Sequence, residues 1–421
     1  MIETQTLLPG VTLRCCRDTR FKQGCLSFQL VRQMNREESA LNALLPSVLL
    51  RGTVSCPDLR SITEHLDELY GASISPLVRR IGDYQTTGLY CGFMDDRFAL
   101  PGDQVLKPML AFLEEVLLDS PLENGAFLPA FVESEKKNLI STIESELNDK
   151  RVYAMNRLLR IMCSADTFGL PRLGDKEQVA AITPHSLYRH YRNILRTSPI
   201  EVFYVGSAET WQVAQMLMPL LGKLDRDCTA LLPQTPFQPC KESDVVETMD
   251  VSQGKLCMGF VSPVTNRCPE FASMQIMNTI LGAGMTSKLF VNVREKMSLC
   301  YSIGSGYYGT KGIVIVSAGI DFDKEQLTRE EVLRQLDACR EGDISENELK
   351  AAKEAILSSL RATHDSPGAI EGYYATAALS GMGMSPTEYM AKVEAVTLAD
   401  VVARAKELRL HTTYFLKGGS Q

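Results

Sequence analysis

The spacing of apolar residues predicts alternating strands and helices through the first half of the chain. Short runs that alternate or cluster apolar residues are typical of strands, whereas apolar residues three or four positions apart mark one helix face. Pro108 predicts a kink or a later start for one helix. The predicted strands are residues 11–16, 25–31, 73–81, 85–93 and 200–205, and the predicted helices are residues 40–50, 58–70, 103–118, 131–162, 183–195 and 210–224.

The second half of the chain repeats this plan. Two sequence echoes at corresponding places support a duplication, because residues 66–70 resemble 293–297 and residues 181–183 resemble 395–397. The predicted elements are strands at 255–261 and 412–416, a hairpin at 299–320, helices at 269–281, 324–340, 369–379, 386–395 and 398–408, and a helix that begins at a capping box of Ser345 and Glu348.

These elements predict an α+β fold with two homologous domains, each a mostly antiparallel sheet with helices packed on one face. Residues 1–224 would form the first domain and residues 245–421 the second. The segment between them, residues 225–244, contains Pro233, Pro236 and Pro239 and has little hydrophobic periodicity, which favours a surface linker.

Composition and charge argue against two large classes of function. A formal net charge of -7, without any run of Lys or Arg, argues against a nucleic-acid surface. No apolar run approaches the roughly 20 residues that a membrane-spanning helix requires, so we expect no membrane association. The 12 Cys lack a framework spacing, and the N-terminus lacks the charged and apolar segments of a signal peptide, which predicts a cytoplasmic protein.

Catalytic chemistry within this chain alone finds little support. The 5 His include no pair three or four residues apart, and no CxxC pair occurs, so a metal site is not indicated. Ser305 lacks the frame of a nucleophile elbow. The cluster Gly282-Ala283-Gly284 lacks the spacing of a phosphate loop, and its glycines predict a loosened helix end instead.

Candidate binding residues lie where a predicted helix gives way to the 299–320 hairpin. Arg294 offers a fixed cation with five N–H donors, and Tyr301 offers an aromatic hydroxyl. Such groups could hold the carbonyl oxygens of a bound chain. On residue types alone, a surface Arg and a strand Tyr are the simpler explanation.

The pattern LF-x-x-VREK-x-x-L-x-Y, from Leu289 to Tyr301, is similar to the substrate-clamp signature of the pitrilysin and mitochondrial-processing-peptidase family, the inverzincins. The Arg and the Tyr of that signature grip substrate. The resemblance therefore implies two LuxS/MPP-like domains and a substrate-binding role for Arg294 and Tyr301. In active relatives an extended peptide adds as a strand to a sheet edge.

Active members of this family also carry an HxxEH helix, whose two His bind zinc and whose Glu activates water. The matching positions here are Ala43, Pro46 and Ser47, although the RGT sequence at residues 51–53 fits the family pattern. The resemblance places the third zinc ligand at Ser141 or Thr142, with Glu144 and Glu146 following later in the same helix. It thus implies a chain without catalytic residues, zinc or any other cofactor.

The resemblance implies a non-catalytic subunit that binds peptide substrate and completes the site of a zinc-bearing homologous partner. Zinc is then expected on the partner chain alone, and a homodimer of the isolated chain stays open. The alternative is a structural scaffold or peptide-binding protein with no role in proteolysis. Within the family the chain looks most like bacterial homologues without zinc, some of which are labelled as associated with aminopentanol modification of elongation factor P.

Overall fold

The computed structural model describes residues 2–238 and 240–419, so Pro239 of the predicted linker lies outside the described residues. The strands are β1 (Ile2–Leu8), β2 (Val11–Arg17), β3 (Gln23–Gln33), β4 (Ser73–Ile81), β5 (Tyr84–Met94), β6 (Leu122–Glu123), β7 (Ala126–Phe127), β8 (Ile200–Gly206), β9 (Ser243–Met249), β10 (Gly254–Val261), β11 (Cys300–Tyr308), β12 (Ile313–Ile320) and β13 (Arg409–Gly418).

Helices occupy most of the chain between these strands. They are α1 (Ser39–Leu49), α2 (Leu59–Glu68), α3 (Leu106–Leu118), α4 (Pro129–Asn148), α5 (Lys150–Met162), α6 (Lys176–Ala181), α7 (Pro184–Thr197), α8 (Thr210–Gly222), α9 (Phe271–Leu281), a π-helix (Leu289–Lys296), α10 (Glu325–Glu341), α11 (Glu346–Ala362), α12 (Pro367–Ser380), α13 (Pro386–Ala395) and α14 (Leu398–Glu407).

The first compact unit is built on a 6-stranded sheet of order β1-β2-β8-β3-β5-β4. Every neighbouring pair is antiparallel except β2 with β8. Side chains alternate along β3, so that Leu26 and Phe28 enter a core shared with α1, α3, α7 and α8. The opposite face of β3 carries Cys25, which packs with Ile370 of α12.

The second unit is built on a 5-stranded sheet of order β11-β12-β10-β13-β9, in which only β13 with β9 is parallel. Read from β9 outward, this order matches β2-β8-β3-β5-β4 strand for strand, and the parallel pair falls at the same place. The predicted α+β fold of two homologous, mostly antiparallel domains is therefore confirmed. In this correspondence β4 is the counterpart of β11.

Each compact unit also draws on a segment from elsewhere in the sequence. The first unit comprises residues up to Glu144, Pro171–Pro233 and Thr363–Thr376, and the second comprises the remainder. Within the second unit, α5 packs against β10 and β13, and Gly259 leaves room for Met162, whose sulfur lies 2.6 Å from where a Cβ would stand. The units therefore differ from the continuous domains 1–224 and 245–421, because apolar helix faces pair with sheets distant in sequence.

Several elements depart from the sequence predictions, among them α6, β6, β7 and the π-helix, which were not predicted. The long helix predicted at residues 131–162 is two helices, because the Asp149 side chain accepts hydrogen bonds from the backbone N–H groups of Arg151 and Val152 and starts α5. Strands β1 and β9 were not predicted, since both are polar edge strands, and β9 begins inside the predicted linker. Among the described residues, no helix is long and apolar enough to cross a membrane.

Candidate peptide-binding site

Gly282 ends α9 at a place where helix and hairpin approach closely. Its carbonyl oxygen accepts a hydrogen bond from the backbone N–H of Ser305 in β11, at 3.0 Å. A Cβ at Gly282 would stand 2.7 Å from Ser305 Oγ and 2.8 Å from Leu289 Cδ1. The glycine thus permits close contact between α9, the following helix and β11, which is a more specific role than the loosened helix end that the sequence predicts.

A π-helix, Leu289–Lys296, carries Arg294 in its last turn. The i→i−5 hydrogen bonds of the π-helix extend one residue past its end, where Met297 N–H donates to Asn292 O at 3.1 Å. Leu289 and Val293 are fully buried and fix one face of the helix. Helices of this type are rare, and they occur frequently at functional sites.

A polar chain fastens this helix to α10. Asn292 Nδ2 donates to Gln335 Oε1 at 2.6 Å, and Gln335 Nε2 donates to Glu331 Oε1 at 2.6 Å. Lys296 Nζ donates to Asn292 Oδ1 at 2.9 Å. Glu331 and Gln335 are both buried, so these hydrogen bonds hold the turn that bears Arg294 in a defined position.

The Arg294 guanidinium is available to a ligand. Its side chain is 39% exposed, and its Cζ lies 4.6 Å from the centre of the Phe290 ring, a stacking contact that limits its motion. The carboxylate of Glu295 is 3.7 Å from Arg294 Nε, beyond hydrogen-bond length. Within the described part of the chain the guanidinium makes no hydrogen bond, so its donors remain for an incoming acceptor.

Tyr301 projects from a β-bulge at the start of the edge strand β11. Cys300 pairs with Ile320 and Ser302 with Gly319, so Tyr301 is the extra residue in the ladder. Cys300 is buried whereas Tyr301 is 61% exposed. The bulge therefore aims the phenol ring outward at the end of the hairpin nearest the π-helix.

Asp321 and Lys324 surround the Tyr301 hydroxyl. The Tyr301 O–H donates to Asp321 Oδ1 at 2.9 Å, and Lys324 Nζ lies 3.0 Å from Asp321 Oδ2. Lys324 Nζ also donates to Ser298 O at 3.3 Å, and Ser298 itself has a φ of 50°. These four residues, Ser298, Tyr301, Asp321 and Lys324, form what we call the Tyr301 network.

Electrostatics in the Tyr301 network follow from these contacts. The Lys324 ammonium and the Tyr301 hydroxyl lower the pKa of Asp321, so its carboxylate is ionised at neutral pH. The hydrogen bond to Asp321 raises the pKa of Tyr301, which stays a neutral phenol. Burial raises the pKa of Cys300 to about 11, and the charges of Arg294 and Lys324 oppose this rise.

The sequence identified Arg294 and Tyr301, and the structure puts them on the turn of π-helix and hairpin in one unit. Sequence reasoning missed Asp321, Lys324 and Phe290. The hairpin pattern held a usable signal for Asp321: pairing Ile320 with Cys300 puts residues 301 and 321 at the same end of the sheet. The stacking of Arg294 on Phe290 depends on the π-helical winding, which residue types do not reveal.

The positions that match the zinc motif lie on α1 and do not fit a metal. Ala43 and Pro46 are buried and offer no ligand atom, and the partly buried Ser47 offers only a hydroxyl. On α4, the Thr142 hydroxyl donates to its own helix at Asn138 O, at 3.0 Å. Glu144 faces Lys176 at 3.6 Å. Across residues 2–238 and 240–419, no three His, Cys, Asp or Glu side chains are grouped to hold a metal ion.

Pro46 stands where the family's catalytic Glu would be, and its surroundings are adapted to it. A proline has no N–H, so the carbonyl of Asn42, four residues earlier, loses its regular helical donor. The Thr87 hydroxyl donates to this carbonyl instead, at 2.6 Å. The Asn42 side chain donates to Gln85 Oε1 at 2.9 Å, and its Oδ1 lies 2.7 Å from His190 Nε2.

Comparisons with known proteins find relatives of similar sequence and fold. A sequence profile described as peptidase M16 inactive domain matches residues 181–356. The Bacillus subtilis protein named "Probable inactive metalloprotease YmfF" is 28% identical over 409 residues, covering 97% of this chain and 96% of that protein. A crystal structure of a conserved protein from Enterococcus faecalis superposes with a TM-score of 0.92 at 25% identity, covering 100% of this chain and 99% of the other.

A second solved structure, of a peptidase M16 inactive domain from Pseudomonas fluorescens, has a TM-score of 0.82 at 16% identity, covering 100% of this chain and 98% of the other. At that identity the likeness establishes the fold alone. The positions of the family's zinc motif, meanwhile, hold side chains that cannot form a zinc site. The chain is therefore similar over nearly its whole length to a protein named as a probable inactive metalloprotease, and residues 181–356 match the peptidase M16 inactive domain.

Proposed function

We propose that this protein is a cytoplasmic, non-catalytic subunit that binds an extended peptide through Arg294 and Tyr301 and completes the site of a zinc-bearing homologous partner. The single observation that carries the proposal is the exposed, stacked Arg294 guanidinium, whose donors are unused within the described part of the chain. Tyr301 is also exposed, and it lies at the start of the strand that follows the π-helix of Arg294, which supports a common ligand.

Two features support a binding role rather than a residual catalytic one. Ala43, Pro46 and Ser47 supply neither zinc ligands nor a general base, so in the proposed pair the partner chain would supply the hydrolytic groups. Arg294, in contrast, is held by ring stacking and by a helix that a buried polar chain fastens in place. Such pre-organisation lowers the entropy that binding would otherwise lose.

The test is cleavage of fluorescein-labelled casein by the purified pair of this chain and its zinc-bearing homologue. Removing the Arg294 donors with Arg294→Ala should lower kcat/KM at least about tenfold, the effect of losing one charged hydrogen-bond donor. Tyr301→Phe should lower it by a smaller factor. Zinc content and the stoichiometry of the pair should stay unchanged in both variants.

A matched control is available in the same unit. Arg361 is also exposed and lies 3.6 Å from a carboxylate, that of Glu354, so Arg361→Ala removes the same charge in a similar setting. This variant should keep wild-type activity. If Arg294→Ala leaves cleavage unchanged while the pair still assembles, the peptide-binding role is wrong and the scaffold alternative takes its place.

A further inference from the structure

The Tyr301 network determines which kind of group the Tyr301 hydroxyl can bind. A phenol has a single hydroxyl proton, and Tyr301 donates it in the hydrogen bond to the Asp321 carboxylate, which can only accept when it is ionised and cannot donate in return. The oxygen lone pairs of Tyr301 stay directed to solvent, where 61% of the residue is exposed. In this arrangement Tyr301 is a hydrogen-bond acceptor for a ligand, and it cannot donate to a carbonyl.

Arg294 has the opposite polarity. A guanidinium only donates, and Arg294 has no hydrogen-bonded acceptor among the described residues. The two side chains therefore offer a donor in the last turn of the π-helix and an acceptor at the start of β11, seven residues later. An extended peptide presents C=O and N–H groups in alternation along its backbone, and this combination matches both.

We propose, on the basis of the proposed function, that Asp321 is a specificity-determining residue that sets a clamp of mixed polarity, in which Arg294 binds a backbone carbonyl and Tyr301 accepts a backbone N–H. The ligand class is then a secondary-amide backbone. A carboxylate, a phosphate or a proline nitrogen at the Tyr301 position lacks the required N–H.

Lys324 makes this polarity persistent. It lies 3.0 Å from Asp321 Oδ2 and donates to Ser298 O, so each carboxylate oxygen has a partner, which favours the orientation that faces Tyr301. Asp321 directly follows β12, whose Ile320 pairs with Cys300, so the hairpin ladder fixes the carboxylate next to the phenol.

The test measures binding of fluorescein-labelled casein to the full-length chain by anisotropy. Tyr301→Phe removes the acceptor and should weaken binding about threefold to tenfold, as expected for one hydrogen bond. Asp321→Ala releases the Tyr301 proton and should also weaken binding, by about twofold to fivefold. In the double variant the loss should equal that of Tyr301→Phe alone, because Asp321 acts through the phenol.

Asp323→Ala is the matched control. Asp323 is exposed and lies two residues after Asp321, so its substitution removes the same charge. It should leave casein binding unchanged. A difference ultraviolet titration, wild type minus Tyr301→Phe, supplies a second readout: the Tyr301 pKa should be raised in the wild type and should fall in Asp321→Ala.

Tighter binding in Asp321→Ala would overturn the inference, because Tyr301 would then act as a donor that Asp321 blocks. The inference would also be overturned if Asp321→Ala weakened casein binding further in the Tyr301→Phe background. In both cases the proposed function survives, since the wild type still binds peptide. Absence of casein binding by the wild type would overturn the inference and the proposed peptide binding together.

Discussion

At the scale of single residues, Thr87 and Pro46 show that the α1 positions matching the zinc motif are packed in the core and hydrogen-bonded there. The proline removes a backbone donor from α1, and the Thr87 hydroxyl satisfies the carbonyl of Asn42 in its place. The Asn42 side chain meanwhile bonds with Gln85 and lies within hydrogen-bond distance of His190. These buried groups depend on one another, so restoring a His or Glu on α1 would disturb a satisfied network.

Removing the Thr87 hydroxyl with Thr87→Val should lower the free energy of unfolding by about 1–3 kcal/mol, because the Asn42 carbonyl then has neither Thr87 nor a proline N–H as donor. In a Pro46→Ala background the same change should be less costly, since an alanine at position 46 restores the backbone N–H. Urea unfolding of the wild type, the two single variants and the double variant gives the coupling energy between positions 46 and 87. Equal effects of Thr87→Val in both backgrounds would contradict this role.

His190 predicts a pH dependence of stability. Burial lowers the pKa of His190 from 6.5 to about 4, while the Glu38 carboxylate opposes and the Arg32 guanidinium adds to this shift. The unfolded chain therefore binds a proton more readily than the folded one as pH falls from 6.5 to about 4. Stability is full above pH 6.5 and is lost through this window, by ~2 kcal/mol at pH 5.

Urea unfolding at pH 7.5 and pH 5.0 checks this prediction when wild type is compared with His190→Gln. The glutamine keeps an N–H donor for Asn42 and does not titrate. Its stability should fall less between the two pH values than that of the wild type. An identical fall in both proteins would show that His190 does not titrate in this window.

At the scale of elements, the sequence predicts helix ends that depend on hydrogen bonds between neighbouring residues. The capping box of Ser345 and Glu348 forms as expected, with Ser345 N–H to Glu348 Oε2 at 2.8 Å. Thr183 and Thr397, in the second sequence echo, both cap helices that precede a strand. The break at Asp149 was missed, because a single polar residue inside a helical pattern does not reveal whether its side chain caps a new helix.

The π-helix and the Tyr301 bulge were missed for a different reason. Both depend on packing between elements, namely buried Leu289 and Val293 on one side and the register of β11 with β12 on the other. Sequence patterns therefore identified Arg294 and Tyr301 and left their orientation and partners to the structure.

Gly282 provides the element-scale prediction. A methyl group in Gly282→Ala would meet Ser305 Oγ and the buried Leu289 at less than 3.0 Å and push the π-helix from β11. We expect a loss of about 1–3 kcal/mol of stability and weaker casein binding. Gly306→Ala is the control. Gly306 lies in β11 next to Ser305, and no atom lies within 4 Å of a Cβ added there. Thermal unfolding and anisotropy compare the two variants, and equal behaviour would contradict the close-approach role.

At the scale of the whole molecule, the duplicated sheets have diverged in what they carry. The first unit holds the α1 positions that match the zinc motif, which here are Ala43, Pro46 and Ser47. The second unit holds Arg294 and Tyr301 beside the edge strand β11. This arrangement supports the proposal that the chain is the non-catalytic part of a two-chain peptidase.

The most direct test of this account is native affinity purification of the tagged protein from its own cell, with mass spectrometry and zinc analysis of the eluate. We expect a homologue with an HxxEH motif to co-elute, with zinc in proportion to that partner and casein cleavage that Arg294→Ala impairs and Arg361→Ala does not. A protein that elutes alone with a full equivalent of zinc would contradict the loss of the metal site, and one that elutes alone without zinc would contradict the partnership.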